Sequence, residues 1–319
     1  MGSFISSSNQ LDQKFGYFPD VYDQNDKEFR PNFNNKRVKK YINLKSKFPP
    51  VYEQKGLNCS TALAIASVIE YIQNIKEFNT SFVPSKLFLF YLGRYPDFIQ
   101  HNKGFSIKYL LDQINKYGIA SEKEYRFMPE LYTKRLKLDL SDRRYYQGLM
   151  TYKKVSKDIN TMKVCLSIHK KPVIFGFAVY ESFNETMKWD NDMKMPFPDK
   201  SEKLIGFQTG VCVGYSSKKS AFLIRNSWGP NWKDEGYFFM SFDYFLSPNC
   251  DDLWVFDIVS DLELDEEHFK HHHHKNIRRK KVDKKDQKKF TDEIKVIIPG
   301  SQSGSGSQSA SSNFLIQAD

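Results

Sequence analysis

The chain has 319 residues, 40% of them hydrophobic and 15% aromatic, with a formal charge of +10. That composition supports one large core or two small ones and excludes a wholly disordered protein. No apolar run approaches the roughly 20 residues that span a bilayer, and the first residues lack the charged-then-apolar pattern of a secretory signal.

Residues 1–48 read as a polar, irregular N-terminal extension. Its start, Met1-Gly2-Ser3-Phe4-Ile5-Ser6, fits the pattern for N-myristoylation at Gly2, and a plain unstructured start is the rival reading. Further on, Phe15-Gly-Tyr-Phe-Pro-Asp20 is suited to lie on the body as an extended segment. From Ser60 the pattern changes. Ala62, Ile65, Ala66, Ile69, Ile72 and Ile75 recur at helical spacing, so a helix opening at Ser60 is expected. A second helix is expected from Pro84 through Leu87, Phe88 and Tyr91, and a third from Ser106 through Leu110, Leu111 and Ile114 to Gly118. A helix-like stretch then ends at His169, ahead of short apolar runs rich in β-branched and aromatic residues. These runs are Pro172–Tyr180, Gly210–Tyr215, Ala221–Arg225, Gly236–Met240 and Leu253–Val259, and all read as strands. Helices first and strands later imply an α+β body with two lobes over residues 49–259.

Residues 260–319 form a separate, charged, low-complexity tail, expected to be disordered. Between Lys270 and Lys289 ten lysines and arginines face Asp283 and Asp286, a surplus of eight out of the chain's +10. Such a segment suits an anionic membrane or nucleic acid held by charge alone, because no base-reading motif accompanies it. The run His271–His274 cannot close a metal site by itself. Cys59, Cys165, Cys212 and Cys250 are too scattered for a zinc site, so neither metal nor cofactor is expected.

Three blocks carry the chemistry. The first is Gln54-Lys-Gly-Leu-Asn-Cys59-Ser60-Thr-Ala, and the second is Gly206-Phe207-Gln208-Thr209-Gly-Val-Cys-Val-Gly-Tyr215. The third runs Asn226-Ser-Trp228-Gly-Pro-Asn-Trp232-Lys233-Asp-Glu-Gly236-Tyr237. With Pro84-Ser-Lys-Leu-Phe88, Gly104-Phe-Ser-Ile107 and Lys171-Pro-Val173, they resemble the papain family of cysteine peptidases over roughly residues 15–260. The likeness is greatest to compact intracellular cathepsin-B-like members of microbes and giant DNA viruses. It implies a two-lobed papain-like fold, a helical lobe beside an antiparallel β lobe, and cysteine-type endopeptidase chemistry. The lack of a secretory signal makes a cytoplasmic or virion-associated protein that is not secreted the expectation, with peripheral membrane attachment through Gly2 and the basic tail as an option. Leu57, where secreted relatives carry a disulfide cysteine, agrees with a reducing compartment.

The two residues that should do the chemistry are missing. In the family a glutamine stands six residues before the nucleophilic cysteine, and six from Gln54 is Ser60. The catalytic histidine opens the strand written here as Gln208–Tyr215. The resemblance gives Asn226 the role of orienting the imidazole and Gln54 a place in the oxyanion hole. It gives Gly104 the backbone of bound substrate and Trp228 the lining of the cleft. A competing reading has Gln54 and Asn226 retained only to satisfy buried backbone groups. A serine nucleophile needs a neighbouring general base, and an amide has no useful basicity. Of seven histidines only His101 and His169 lie in the body, neither where the family's base enters the cleft. Cys59 is the alternative nucleophile, at the cost of shifting the helix register by one residue. Phe207, Thr209 and Lys233 also depart from the family pattern, which favours natural loss of the pair over a single designed change. The expected function is a catalytically silent papain homologue that binds a peptide or protein in its cleft, with Phe15–Asp20 as its expected internal occupant. The alternatives are an intracellular cysteine endopeptidase in an inactivated form, and a structural domain tethered to membrane or nucleic acid by its tail.

Overall fold

A computed structural model describes residues 15–32, 37–77, 82–133 and 150–258; Gly2, the histidine run and the basic tail lie outside them. In chain order the elements are β1 (Tyr41–Asn43), α1 (Ser60–Lys76), α2 (Lys86–Leu92) and α3 (Ile107–Tyr117). They continue with β2 (Met150–Lys154), α4 (Ile159–Ser167), β3 (Val173–Tyr180) and β4 (Leu204–Ser216). The set closes with β5 (Ala221–Arg225), β6 (Tyr237–Ser241), α5 (Phe242–Leu246) and β7 (Cys250–Ile258). The expected α+β division into a helical half and a β half is borne out.

Local chemistry places the helix ends. The Ser85 hydroxyl accepts from the Phe88 amide and the Ser106 hydroxyl from the Tyr109 amide, so α2 and α3 each start on a serine cap. Gly118, at φ +81°, stops α3 in a conformation other residues avoid. Helix α1 has no polar face over most of its length, being buried from Ser60 to Ile69 without interruption. A helix of that kind belongs in an interior, and α1 runs between its neighbouring helices and the sheet.

The sheet is antiparallel throughout, in the order β2-β7-β3-β4-β5-β6, with β1 added to the far part of β4. Its two faces feed different cores. Ile174, Val211, Val213 and Leu223 pack with α1, whereas Val173, Phe175, Cys212 and Phe222 pack with residues of α4 and α5 on the other face. The alternation follows from the two-residue period of a strand. Strand β4 begins six residues before the expected Gly210, and the added stretch contains Gln208.

The segment that supports the loop ahead of α1 is held by Arg94, which is only 2% exposed. Its guanidinium donates to the carbonyls of Phe90, Ile99, His101 and Tyr132 at 2.8–3.1 Å. Asn102, which follows His101, reaches across to the loop ahead of α1, where it accepts from the Asn58 amide through Oδ1 at 2.7 Å and donates to the Gly56 carbonyl at 3.1 Å. Arg94 therefore sets the position of the residues just before Ser60. Arg94→Ala leaves four carbonyls short of a donor, and a loss of about 3 kcal/mol is expected. Arg94→Lys should recover less than half, because an ammonium cannot reproduce the planar fork. Urea midpoints of the three proteins check both statements; a change within 0.5 kcal/mol for the alanine variant would refute the role.

Candidate active site

Ser60 is the first residue of α1 and is completely buried. Its Oγ accepts from the backbone amide of Thr209, 3.2 Å away on β4. Gln208 is equally buried, and its Nε2 faces three acceptors: Gln54 Oε1 at 2.8 Å, Asn226 Oδ1 at 2.9 Å and Ser227 Oγ at 3.2 Å. Ser227 Oγ donates to the same Gln54 Oε1 at 2.8 Å, and Gln54 Nε2 donates to the Leu57 carbonyl at 2.8 Å. The fold thus brings together Gln54 from the loop before α1, Ser60 from α1, Gln208 from β4 and Asn226 from the end of β5.

The network is built from amides and hydroxyls. Gln208 supplies an N–H to Asn226 Oδ1 but carries no atom that takes up a proton at ordinary pH. Among the described residues Gln208 Oε1 and Asn226 Nδ2 are buried without a hydrogen-bond partner. Cys59, the alternative nucleophile, caps α1 with its thiol 3.9 Å from the Gln54 carbonyl oxygen, inside the helix-side core. Burial pushes that thiol well up, the opposite of what a thiolate nucleophile requires. His101 is exposed, while His169 is half-buried, with its ring edge-on to Phe29 and Nε2 3.1 Å from the Asn32 carbonyl. Among the described residues no group of His, Cys, Asp and Glu is arranged to hold a metal ion, and no helix is long and apolar enough to cross a membrane.

The neighbours that depart from the family pattern are tied into the same structure. Thr209 Oγ1 lies 2.7 Å from Thr61 Oγ1. Phe207 points outward from β4 and meets the Tyr17 ring at 6.5 Å. Lys233 holds φ +50°, a conformation that favours glycine, and sets its ammonium over the Trp189 ring at 4.1 Å. Trp228 is half-buried in an aromatic cluster with Phe183 and Trp232.

The cleft is not open. Residues 15–18 cross it directly over Ser60, so close that a Cβ on Gly16 would stand 2.5 Å from the Ser60 nitrogen. The Gly16 carbonyl accepts from Thr61 Oγ1 at 3.0 Å and from the Phe105 amide at 3.4 Å. The Tyr17 amide donates to the Phe207 carbonyl, and the Phe18 amide to the Phe105 carbonyl, both at 3.3 Å. Gly104 lies under Gly16, so the backbone it receives here is the chain's own. The segment is anchored by acids that sequence reasoning missed. The Tyr17 hydroxyl and the Asp20 amide both donate to Asp252 Oδ2 at 2.5 Å, and Trp254 Nε1 donates to Asp20 Oδ2 at 2.6 Å. Burial, followed by the charge of Asp252, pushes the Asp20 carboxyl up to about 7, and burial also raises Asp252.

Comparison with known proteins places this geometry. Residues 44–250 match the family model of papain family cysteine proteases. An uncharacterized peptidase C1-like protein of Acanthamoeba polyphaga mimivirus is 29% identical over 221 residues, covering 66% of this chain and 70% of the relative. Among solved structures, xylellain, a cysteine protease from Xylella fastidiosa, superposes with a TM-score of 0.69 at 29% identity, covering 78% of this chain and 97% of its own. A procathepsin B from Trypanosoma congolense gives 0.57 at 15% identity, covering 77% and 86%, a likeness of fold alone.

Proposed function

The chain belongs to the papain family of cysteine proteases, and within that family we propose that it is catalytically silent and acts by holding a peptide or protein segment in its cleft. One observation carries the reading: where the chemistry needs a base, the buried Gln208 amide donates to Asn226 and Gln54, and the neighbouring Ser60 hydroxyl is engaged by a backbone N–H. Support for natural loss comes from the paired Thr61 and Thr209 hydroxyls and the packing of Phe207 on Tyr17, which knit the replaced positions into their surroundings. A cysteine endopeptidase in inactivated form would instead show cysteine and histidine codons at 60 and 208 in the native gene. A peptidase assay on the full chain, with and without thiol alkylation, tests the silent reading directly; alkylation-sensitive turnover refutes it.

The ends of the chain support a second reading, in which the basic tail tethers the body. The surplus of eight positive charges between residues 270 and 289 favours a polyanion bound by counterion release. N-myristoylation at Gly2 would add a second, weak anchor, and one acyl chain needs such a basic partner to hold a membrane. The full chain should bind phosphatidylserine vesicles or DNA of any sequence, with affinity falling on the order of 10³-fold between 50 and 200 mM salt. Removing residues 260–319 should abolish this. Binding that survives the deletion, or ignores salt, removes the tether from consideration.

A further inference from the structure

The cleft is shaped residue by residue around the segment it holds. Three glycines of the body each lie under one residue of that segment. A Cβ on Gly206 would stand 2.2 Å from the Phe15 ring, one on Gly104 2.4 Å from the Gly16 carbonyl carbon, and one on Gly176 2.0 Å from the Tyr17 ring. Gly176 and Gly206 lie inside strands, where a missing side chain weakens the sheet and marks close approach by another chain. The complementarity runs the other way too, since any side chain at Gly16 meets the backbone of Asn58 and Ser60. On either side of this pinch the rings are housed, Phe15 with its centroid 6.3 Å from that of Trp228 and Tyr17 with its hydroxyl on Asp252. The main chain is read as well, through Thr61, Phe105 and Phe207.

We propose that the cleft is a recognition slot for an extended peptide of the form aromatic–glycine–aromatic, filled at rest by Phe15-Gly16-Tyr17 and open to the same motif on a protein partner when that segment is displaced. The proposal rests on the non-catalytic reading above and adds the chemistry of the ligand. Glycine is required at the centre because the slot is closed by backbone there, which cannot move aside as a side chain would. Aromatic residues are required on both flanks because Phe15 lies against Trp228 over Gly206, and Tyr17 lies over Gly176 with its hydroxyl on Asp252, seats suited to planar rings. The resident segment is displaceable because its anchor is non-covalent and partly open to solvent: Phe18 and Pro19 are exposed, and Asp20, whose amide donates to Asp252, is only half-buried.

The test uses a fluorescein-labelled peptide spanning residues 13–22 and fluorescence anisotropy on the full chain. In Gly16→Val the resident segment cannot seat, so this protein should bind the peptide. Wild type should bind on the order of 100-fold more weakly, because its own segment competes at high effective concentration. A peptide carrying valine in place of its glycine should lose about 100-fold, and adding Gly176→Ala to the Gly16→Val chain should lose as much. Failure of the Gly16→Val chain to bind, or equal binding of the glycine and valine peptides, overturns the proposal. Should Gly16→Val lose its near-ultraviolet circular dichroism, the double variant Phe15→Ala/Tyr17→Ala empties the slot without a clash and is held to the same outcomes. Mass spectrometry of the bound peptide separates the two claims. Cleaved peptide refutes the silent reading and leaves recognition standing, whereas intact peptide that binds without regard to its glycine refutes recognition and leaves silence standing.

Discussion

The full chain should hydrolyse peptide substrates on the order of 10⁶-fold more slowly than a relative with nucleophile and base in place, the scale seen when a catalytic pair is removed. Ser60→Cys alone should add a thiol at the start of α1, where the helix dipole favours a thiolate, but little turnover, since no imidazolium partners it. Gln208→His supplies that partner. The position lies within 2.9 Å of Asn226 Oδ1, an acceptor already placed to orient a ring N–H. Phe207 and Thr209, which could have crowded a ring, turn to Tyr17 and Thr61 instead. A further obstacle is the segment itself, because Gly16 seals the approach to residue 60. The triple variant Ser60→Cys/Gln208→His/Gly16→Val should therefore be the first to show peptidase activity that alkylation abolishes, while the double variant stays low. Robust turnover by the unmodified chain, especially if lost on Cys59→Ala, would place the nucleophile one residue earlier and end the silent reading.

The parts of this molecule that were legible in the sequence are those whose cause is local. The apolar period from Ala62 to Ile72 marks a helix opening at Ser60, and Ser106 and Gly118 bracket α3 because capping and left-handed turns depend on neighbours in the chain. A linear reading starts strand β4 late because Gly206, Gln208 and Thr209 look like turn residues, and they are small or polar because they line a cleft rather than a core. Strand β2 escapes a linear reading because Met150-Thr-Tyr-Lys-Lys154 is a largely polar strand at the sheet's edge, paired with β7 and bridged at Lys154 to Glu28. The catalytic positions were visible through family blocks, but their bonding was not. Nothing in a linear reading shows that Gln208 Nε2 meets an acceptor 154 residues away, or that Asp20 and Asp252 share a site across 232 residues.

That shared site leads to a pH dependence. Asp20 accepts from Trp254 Nε1 and the Lys108 amide, with the Ser106 hydroxyl as a further donor, while Asp252 accepts from Tyr17 and the Asp20 amide. The charged groups facing the pair are Asp251 and Lys154, whose Nζ is 3.9 Å from Asp252 Oδ1; the Lys108 ammonium is turned to Asp23 and Asp26. One cation at that distance does not offset a buried and a half-buried carboxylate, and burial followed by the charge of Asp252 raises Asp20 to about 7. With the segment released, Asp20 returns to the ordinary value near 3.8. The seated form therefore binds one more proton than the released form between those two values, so seating is strongest in acid and weakens as pH rises from about 4 to about 7. Above that window no further loss is expected. Amide hydrogen exchange at Tyr17 and Phe18, corrected for intrinsic rates, should lose up to about tenfold of its protection per pH unit within the window. Asp20→Asn should flatten the profile, because the group that changes charge is gone while the amide bond to Asp252 remains. Protection that is level from pH 4 to 7 in the wild-type chain, or that rises, would show that the acids are fully compensated and that the segment is held by its rings and main chain alone.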